Sequence, residues 1–185
     1  ELTVSRSESA GFSLHVQGME LPEENTVKKA YTLFAEAAKI QTGVSVDLVK
    51  RIPSGAGMGG GSSDAAAMLR ALNSLFSADV SQTELIKIAE KIGSDVPFFL
   101  YGDCAVVSGR GEVVRPFDGR RDLYFVIICP DVHSSTKEAY ALVDEYLALG
   151  EKVNGPDFAD YERIYNAPVN EWSFINTFMP ALVDR

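Results

Sequence analysis

The stretch from Pro53 to Ala67, PSGAGMGGGSSDAAA, is the part of the sequence best suited to do chemistry. Glycines let the backbone approach a ligand closely, so several amide N–H groups can converge on one anion. A helical tract follows, and a helix N-terminus adds unpaired N–H groups and the positive end of a dipole. The stretch therefore predicts a phosphate-binding loop. A flexible turn in which Ser62 or Ser63 only caps the helix is the alternative.

Two familiar nucleotide motifs can be compared with this stretch. A Walker A loop is excluded because no Gly-Lys-Ser/Thr is present. Gly55, Gly57 and Gly60 do match the dinucleotide pattern G-x-G-x-x-G, which requires a second parallel strand ending in an acidic residue about 20 residues further on. That region instead predicts a helix end, a turn at Ser77–Asp79 and another helix. The sequence after the loop thus argues against a dinucleotide fold.

The elements around the loop follow from hydrophobic periodicity. LTVS and FSLHV predict two strands, and a helix is predicted from an N-cap at Asn25 to an end at Gly43. The alternating VSVDLVKRI predicts a half-buried strand before the loop, and AAAMLRALNSLF a helix after it. Ser81 and Glu84 have the spacing of a capping box, which predicts a further helix to Ile92.

The second half of the sequence is less regular. A loop at GSDVP leads into FFLYGDCAVVSGRGEVVRPF, which predicts two or three strands with glycine turns. LYFVIICP predicts a fully buried strand, and SSTKEAYALVDEYLAL the helix after it. Beyond Gly150 no element is predicted.

Composition limits the possible functions. The 185 residues are 46% hydrophobic and 23% charged, as in an ordinary globular protein, and carry a net charge of −9. This charge disfavours nucleic acid and anionic membranes as partners, so a polyanionic ligand must be held by local donors. Cys104 and Cys129 are predicted to be reduced, and His15 and His133 are too isolated to predict a metal site. Because the chain opens on Glu1, we expect it to be part of a longer protein.

Two blocks of the sequence resemble a known family. KRIPSGAGMGGGSSDAAAMLRALN and KIGSDVPFFLYGDCAVVSGRGE are similar to segments of the GHMP kinases, and within them to the 4-diphosphocytidyl-2-C-methyl-D-erythritol kinase family. ENTVKKAYTLF and PDVHSSTKEAY add weaker matches. The resemblance covers roughly residues 25–140. The family's catalytic lysine, its substrate-binding Asp-Gly-Tyr-His-like segment and its C-terminal glycine-rich segment have no counterpart in this sequence.

The resemblance implies an α/β (α+β) fold with two GHMP domains. An ATP-binding domain like ribosomal protein S5 would span 1–121, and the start of a ferredoxin-like substrate domain 122–185. The implied catalytic residue is Asp95, for which capping of turn amides is the alternative. Asn25 and Lys50 match the adenine pocket; the alternatives are a helix cap for Asn25 and an exposed strand end for Lys50. Thr136 and Tyr140 match the substrate site, and a core position is the alternative for the Tyr140 ring. The implied phosphate-binding residues are Pro53, Gly55, Gly57, Met58, Gly59, Gly60, Gly61, Ser62 and Ser63.

The resemblance also implies a reaction. ATP, with Mg²⁺ as cofactor, would phosphorylate the 2-hydroxyl of a cytidine diphosphate-linked polyol in isoprenoid precursor synthesis. Homoserine or mevalonate as the acceptor, or an inactive nucleotide-binding protein, are alternatives. The expected protein is cytoplasmic, or in a plastid-like compartment, and a monomer or weak homodimer. Asp64 stands where the family often has Asn, and a carboxylate beside bound phosphates is expected to repel them.

Overall fold

The computed structural model describes residues 1–52, 57–128, 135–151 and 155–183. The chain divides into two compact units, Glu1–Pro116 and Phe117–Arg185. The assignment of ATP binding to residues 1–121 and of substrate binding to 122–185 stays a prediction.

The first unit is built on a three-stranded mixed sheet. Strand β3 (Gly43–Val49) lies in the centre, antiparallel to β1 (Leu2–Ser7) and parallel to β2 (Phe12–Gln17). Helix α1 (Thr26–Ala38) connects the parallel strands β2 and β3. All three predicted strands are confirmed, and β1 and β2 flank β3 instead of pairing with each other. This arrangement places β3, the strand that precedes the glycine-rich stretch, in the middle of the sheet.

The core lies where this sheet meets helices α1, α2 (Gly60–Phe76) and α3 (Gln82–Ile92). Alternate residues of β3 are buried, as its period-two pattern predicts. Complete burial of such side chains contributes about 1.5–3 kcal/mol each. The most deeply buried large side chains include Phe34, Val44, Val46, Leu48, Met68, Leu69 and Leu72.

The N-cap of α1 is confirmed, whereas its predicted end is wrong. The Asn25 side chain accepts hydrogen bonds from the N–H groups of Val27 and Lys28. The helix ends at Ala38, and Lys39 adopts the left-handed conformation with φ of 55°. Gly43 instead begins β3, where a Cβ would lie 1.8 Å from the Ser9 carbonyl oxygen. The glycine is thus explained by close packing against the connection between β1 and β2, not by helix termination.

The capping box at the start of α3 is confirmed. Both the hydroxyl and the N–H of Ser81 donate to Glu84 Oε2, at 2.7 and 3.0 Å. These hydrogen bonds, the one from the hydroxyl first, hold the pKa of Glu84 below its ordinary value of 4.5. The carboxylate therefore stabilises the folded state fully above pH 4.5, and the contribution is lost as the pH falls through the lowered value.

Substitution Glu84→Gln is expected to make the protein less sensitive to acid. The variant lacks a carboxylate that favours the folded state only when ionised, so its free energy of unfolding falls less below pH 4.5 than that of the wild type. Urea unfolding at neutral pH and at several lower pH values measures this difference. Parallel pH profiles for the two proteins would contradict the assigned role of the Ser81 hydrogen bonds.

A short helix replaces the first of the strands predicted after the GSDVP loop. Helix α4 (Val96–Tyr101) has Pro97 in its first turn, where proline is tolerated, and ends at Gly102 with φ of 77°. The apolar run was too short to distinguish a strand from one and a half turns of buried helix. The strands predicted further on are confirmed as the paired strands β4 (Cys104–Ser108) and β5 (Val113–Phe117).

The second unit is mainly helical and rich in aromatic contacts. It contains α5 (Thr136–Ala148), predicted from the sequence, and α6 (Tyr161–Asn166), α7 (Met179–Val183) and two short 3₁₀ helices, which were not. Rings of Tyr165 and Trp172 stack at 5.7 Å between centroids. Arg120 donates to the carbonyl oxygen of Ala167 at 2.8 Å. These contacts hold α6 and the following turn together.

The prediction of a buried strand at LYFVIICP is wrong for its described part. Residues 123–128 form no strand, and Tyr124 and Val126 are 97% and 91% exposed. A strand that is apolar on both faces needs neighbouring strands and two covering layers. No strand among the described residues pairs with this segment. Cys129 and His133 lie outside the described residues.

Within the described part of the chain, no helix combines the length and apolar character needed to cross a membrane. Cys104, the first residue of β4, is partly buried.

Candidate active site

The end of the glycine-rich loop and the start of α2 have the backbone geometry of an anion site. Gly57 and Gly59 have φ of 68° and 64°, in the left-handed region that favours glycine. Gly59 is the N-cap of α2, so the helix begins directly at Gly60 and includes Ser62 and Ser63 in its first turn. Pro53 and Gly55 lie outside the described residues.

Three consecutive backbone amides at this helix start are available to a ligand. The N–H of Ser63 donates to the Gly59 carbonyl oxygen at 2.8 Å. The N–H groups of Gly60, Gly61 and Ser62 donate to no residue that the structure describes. Unpaired first-turn amides, aligned with the positive end of a 17-residue helix, attract anions. The arrangement can hold the oxygens of a phosphate group.

The two serines in the first turn differ in their hydrogen bonds. Ser63 Oγ donates to the Gly60 carbonyl oxygen at 2.9 Å, within its own helix. The half-buried Ser62 hydroxyl has no hydrogen-bond partner among the described residues. Ser62 is thus the hydroxyl of this pair that is free to contact a phosphate oxygen. Met58, also half-buried, precedes the helix start.

Asp95 is connected to this loop through Phe99, which belongs to the helix that follows Asp95. A Cβ on Gly59 would be only 2.7 Å from Phe99 Cζ, so the Phe99 ring of α4 packs directly on the Gly59 backbone. Asp95 is four residues before Phe99, and residues four apart share one face of a helix. The Asp95 side chain is exposed and makes no capping hydrogen bond. An exposed carboxylate therefore lies one helical turn before the residue of α4 that contacts the loop.

Contacts at both ends fix α4 in this position. At its C-terminal end, Arg70 of α2 and Gln82 of α3 both donate to the Leu100 carbonyl oxygen, at 2.7 and 2.9 Å. At its N-terminal end, a Cβ on Gly111 would lie 2.8 Å from the Ser94 carbonyl oxygen, so the β4–β5 turn packs on the GSDVP loop. These contacts give Asp95 a rigid support.

An ion pair that is largely shielded from solvent joins the end of β3 to α2. Lys50, at the end of β3, contacts Asp64 of α2 with 2.6 Å between Nζ and Oδ2. The two side chains are only 7% and 16% exposed. A Cβ on Gly60 would lie 3.2 Å from Lys50 Nζ, so the ammonium also packs against the helix start. The role of Lys50 in an adenine pocket stays a prediction.

Asn25 and its neighbour connect α1 to the same region. The Asn25 amide donates to the carbonyl oxygens of Pro22 and Glu23, in addition to capping α1. The adjacent Thr26 hydroxyl donates to the Gly61 carbonyl oxygen at 2.8 Å. The start of α1 is therefore tied to the start of α2. A contact of Asn25 with adenine stays a prediction.

The two predicted substrate residues lie in the second unit. Tyr140 of α5 packs edge-to-face on Phe178 at 5.0 Å and is 58% exposed, so its ring is not a core aromatic. Thr136 is the first residue of α5, after the N-cap Ser135. Their contact with a substrate stays a prediction.

Sequence reasoning missed three contacts that shape this site: the Lys50–Asp64 pair, the packing of Phe99 on Gly59, and the Thr26 hydrogen bond. The first was foreseeable, because a strand end and the start of the next helix must lie close together in a strand–loop–helix unit. Among the described residues, no group of three or more His, Cys, Asp or Glu could hold a metal ion. The chain continues from α2 into α3, so the strand that a dinucleotide fold requires is not found there.

Comparison with known proteins agrees with this geometry. Residues 25–103 match the family model of the GHMP kinases N terminal domain, which includes the loop, α2 and Asp95. Residues 25–103 therefore resemble a GHMP kinase N-terminal domain, and the predicted likeness of the chain to GHMP kinases is confirmed.

Two relatives of this chain carry the same enzyme name. A putative 4-diphosphocytidyl-2-C-methyl-D-erythritol kinase of Streptococcus equi subsp. zooepidemicus is 41% identical over 169 residues, which cover 88% of this chain and 60% of the relative. The Thermotoga maritima 4-diphosphocytidyl-2-C-methyl-D-erythritol kinase is 45% identical over 130 residues, 70% of this chain and 47% of the relative. This chain thus spans at most about 60% of the length of these relatives.

Solved structures show the same fold. A crystal structure of 4-(cytidine 5'-diphospho)-2C-methyl-D-erythritol kinase superposes with a TM-score of 0.61 at 35% identity, over 86% of this chain and 62% of the other. Homoserine kinase from Cytophaga hutchinsonii has a TM-score of 0.60 at 21% identity, over 76% and 50% of the two chains. The second likeness concerns the fold alone. The predicted GHMP fold is confirmed.

Proposed function

We propose that the protein containing this chain transfers the γ-phosphoryl group of ATP to the 2-hydroxyl of 4-diphosphocytidyl-2-C-methyl-D-erythritol. The observation that carries this proposal is the presence of two features on packed elements: the Gly60, Gly61 and Ser62 amides, which have no partner among the described residues, and the exposed Asp95 carboxylate at the start of α4. Phosphoryl transfer requires both an anion cradle and a group that orients the acceptor hydroxyl. The names of the most similar relatives supply the substrate.

In the proposed reaction, the amides at the start of α2 hold the terminal phosphates of ATP. Asp95 accepts the proton of the acceptor hydroxyl while the hydroxyl oxygen bonds to the γ-phosphorus. The bond between the γ-phosphorus and the bridging oxygen breaks, and ADP leaves. Charge that develops on the phosphate oxygens is stabilised by the N–H groups and the helix dipole.

Mg²⁺, when bound with ATP, would neutralise negative charge on the phosphates. Mg²⁺ is commonly held by few protein ligands together with substrate phosphates, which fits a site that offers the Ser62 hydroxyl and no acidic cluster among the described residues. Asn25 and Lys50 are proposed at the adenine, and Thr136 and Tyr140 at the cytidine-linked acceptor. We further propose that the reaction takes place in the cytoplasm or a plastid-like compartment.

The proposal is tested by the acceptor specificity of the full-length protein. With ATP and Mg²⁺, 4-diphosphocytidyl-2-C-methyl-D-erythritol is expected to be phosphorylated with a far higher kcat/KM than homoserine or mevalonate. Radioactive γ-phosphate transfer measures all three. Preference for homoserine or mevalonate would assign another GHMP activity, and ATP binding without transfer to any acceptor would indicate a nucleotide-binding protein.

A further inference from the structure

We infer that Lys50 and Asp64 set the electrostatic balance of the phosphate-binding loop, with Asp64 weakening and Lys50 strengthening the binding of polyphosphate. This inference rests on the proposed nucleotide site and assigns positioning roles to two residues beside it. The pair has 2.6 Å between Nζ and Oδ2 and is largely shielded from solvent.

The position of Asp64 explains why a partner is necessary. It is the fifth residue of α2, immediately after the first-turn residues that offer their amides. A carboxylate at a helix N-terminus is favourable by itself, but its negative charge repels a bound polyphosphate. A buried charge is also far less screened by salt than an exposed one. An unpaired Asp64 would therefore oppose the function of the loop.

Lys50, at the end of β3, compensates the negative charge of Asp64. Its ammonium lies between the Asp64 carboxylate and the backbone of Gly60, where a Cβ would be only 3.2 Å from Nζ. Glycine at position 60 thus leaves room for the lysine head at the helix start. The pair is nearly neutral as a unit, and it ties the end of β3 to α2 across the loop. The expected repulsion by Asp64 is thereby cancelled.

The two residues consequently have opposite expected effects on affinity. Asp64→Asn leaves an uncompensated ammonium near the phosphates, and Lys50→Met leaves an uncompensated carboxylate. One partly screened unit charge changes the affinity for a polyanion on the order of tenfold. We expect the Kd of ATP to fall in Asp64→Asn, to rise in Lys50→Met, and to return toward the wild-type value in the double variant. A purely structural pair would weaken binding in both single variants.

A series of ligands separates charge from adenine recognition. Titration calorimetry of the full-length protein with ATP, ADP and AMP is expected to show effects that grow with the number of phosphates. If Lys50 acted only by contacting adenine, Lys50→Met would weaken all three ligands equally. Lys50→Arg keeps the charge and is expected to bind nearly as wild type. Because both single variants change ground-state binding, KM for ATP is expected to move more than kcat.

Matched controls come from an exposed ion pair in the second unit, Arg163–Asp160, at 2.8 Å with side chains 72% and 42% exposed. Asp160→Asn and Arg163→Met make the same charge changes and are expected to leave the Kd of ATP unchanged. If Lys50→Met does not fold, Asp64→Asn alone tests the inference. Relative to wild type, its affinity is then expected to rise more for ATP than for AMP.

The outcomes separate the two proposals. Opposite shifts of ATP affinity in the single variants support the inference. Unchanged affinity, or weakening in both, with ATP binding by the wild type, overturns the inference and leaves the proposed function intact. A wild-type protein that does not bind ATP overturns the proposed function, and the inference falls with it.

Discussion

Asp95→Asn is expected to lower kcat of the full-length protein by about 10²–10⁴-fold, the usual contribution of a positioned general base. The amide cannot accept the proton of the acceptor hydroxyl, whereas its size and hydrogen-bonding geometry resemble those of the carboxylate. The fold is expected to remain, because the Asp95 side chain is exposed and has no hydrogen-bond partner among the described residues. Single-turnover phosphoryl transfer measures the loss.

Asp79→Asn is the matched control for this prediction. Asp79 is exposed in the turn between α2 and α3, and its φ of 51° is one that Asn tolerates well. Both variants remove one negative charge from the first unit, but only Asp95 shares its helix face with the Phe99 contact to the loop. Asp79→Asn should retain wild-type kcat. Transfer at the wild-type rate by Asp95→Asn would refute the proposed base while leaving the fold assignment untouched.

Gly59→Ala is expected to weaken ATP binding by more than tenfold and to lower kcat as well. A left-handed conformation costs a non-glycine residue about 1–2 kcal/mol, before any steric conflict. Here the new Cβ would also lie 2.7 and 2.8 Å from Phe99 Cζ and Cε2. Either the loop or the ring must move, and a shift of α4 along with the ring would displace Asp95. Calorimetric ATP affinity and steady-state kcat measure the two effects.

Gly57→Ala separates two causes of lost ATP affinity: the steric conflict of the new Cβ and the backbone cost of a positive φ. Gly57 has almost the same positive φ, 68°, but a Cβ there would meet no atom of the described residues within 4 Å. Its variant is expected to show only the backbone cost, and therefore a smaller loss of affinity than Gly59→Ala. Phe99→Leu, added to Gly59→Ala, is expected to restore part of the affinity. An equal loss for both alanine variants would show that the Phe99 contact is unimportant.

Local sequence patterns were sufficient to predict the helices and strands nearest the loop. The alternation of β3, the Asn25 cap and the Ser81–Glu84 capping box each depend on residues a few positions apart. The phosphate loop was predictable for the same reason, since its glycines and the following helix are contiguous. The structure adds that the amides of Gly60, Gly61 and Ser62 have no partner among the described residues. The assignments of Asp95 and Asn25 to chemistry came from family resemblance, not from pattern.

Features that depend on distant parts of the chain were not predictable. The apolar residues of α4 fit a strand as well as a helix, and only packing against α2 and α3 decides between them. The run at 123–128 has the composition of a buried strand, yet burial requires neighbours that no local pattern specifies. The Lys50–Asp64 pair is an exception: its residues are fourteen positions apart, but the predicted strand–loop–helix unit was sufficient to bring them together.

The ATP affinity of Gly59→Ala in the full-length protein, relative to wild type, tests most directly whether nucleotide phosphates bind at the start of α2. A Kd raised more than tenfold, in a variant whose circular dichroism shows an intact fold, is the result that this account predicts. An unchanged Kd would contradict it, because the nucleotide would then be bound by other parts of the molecule.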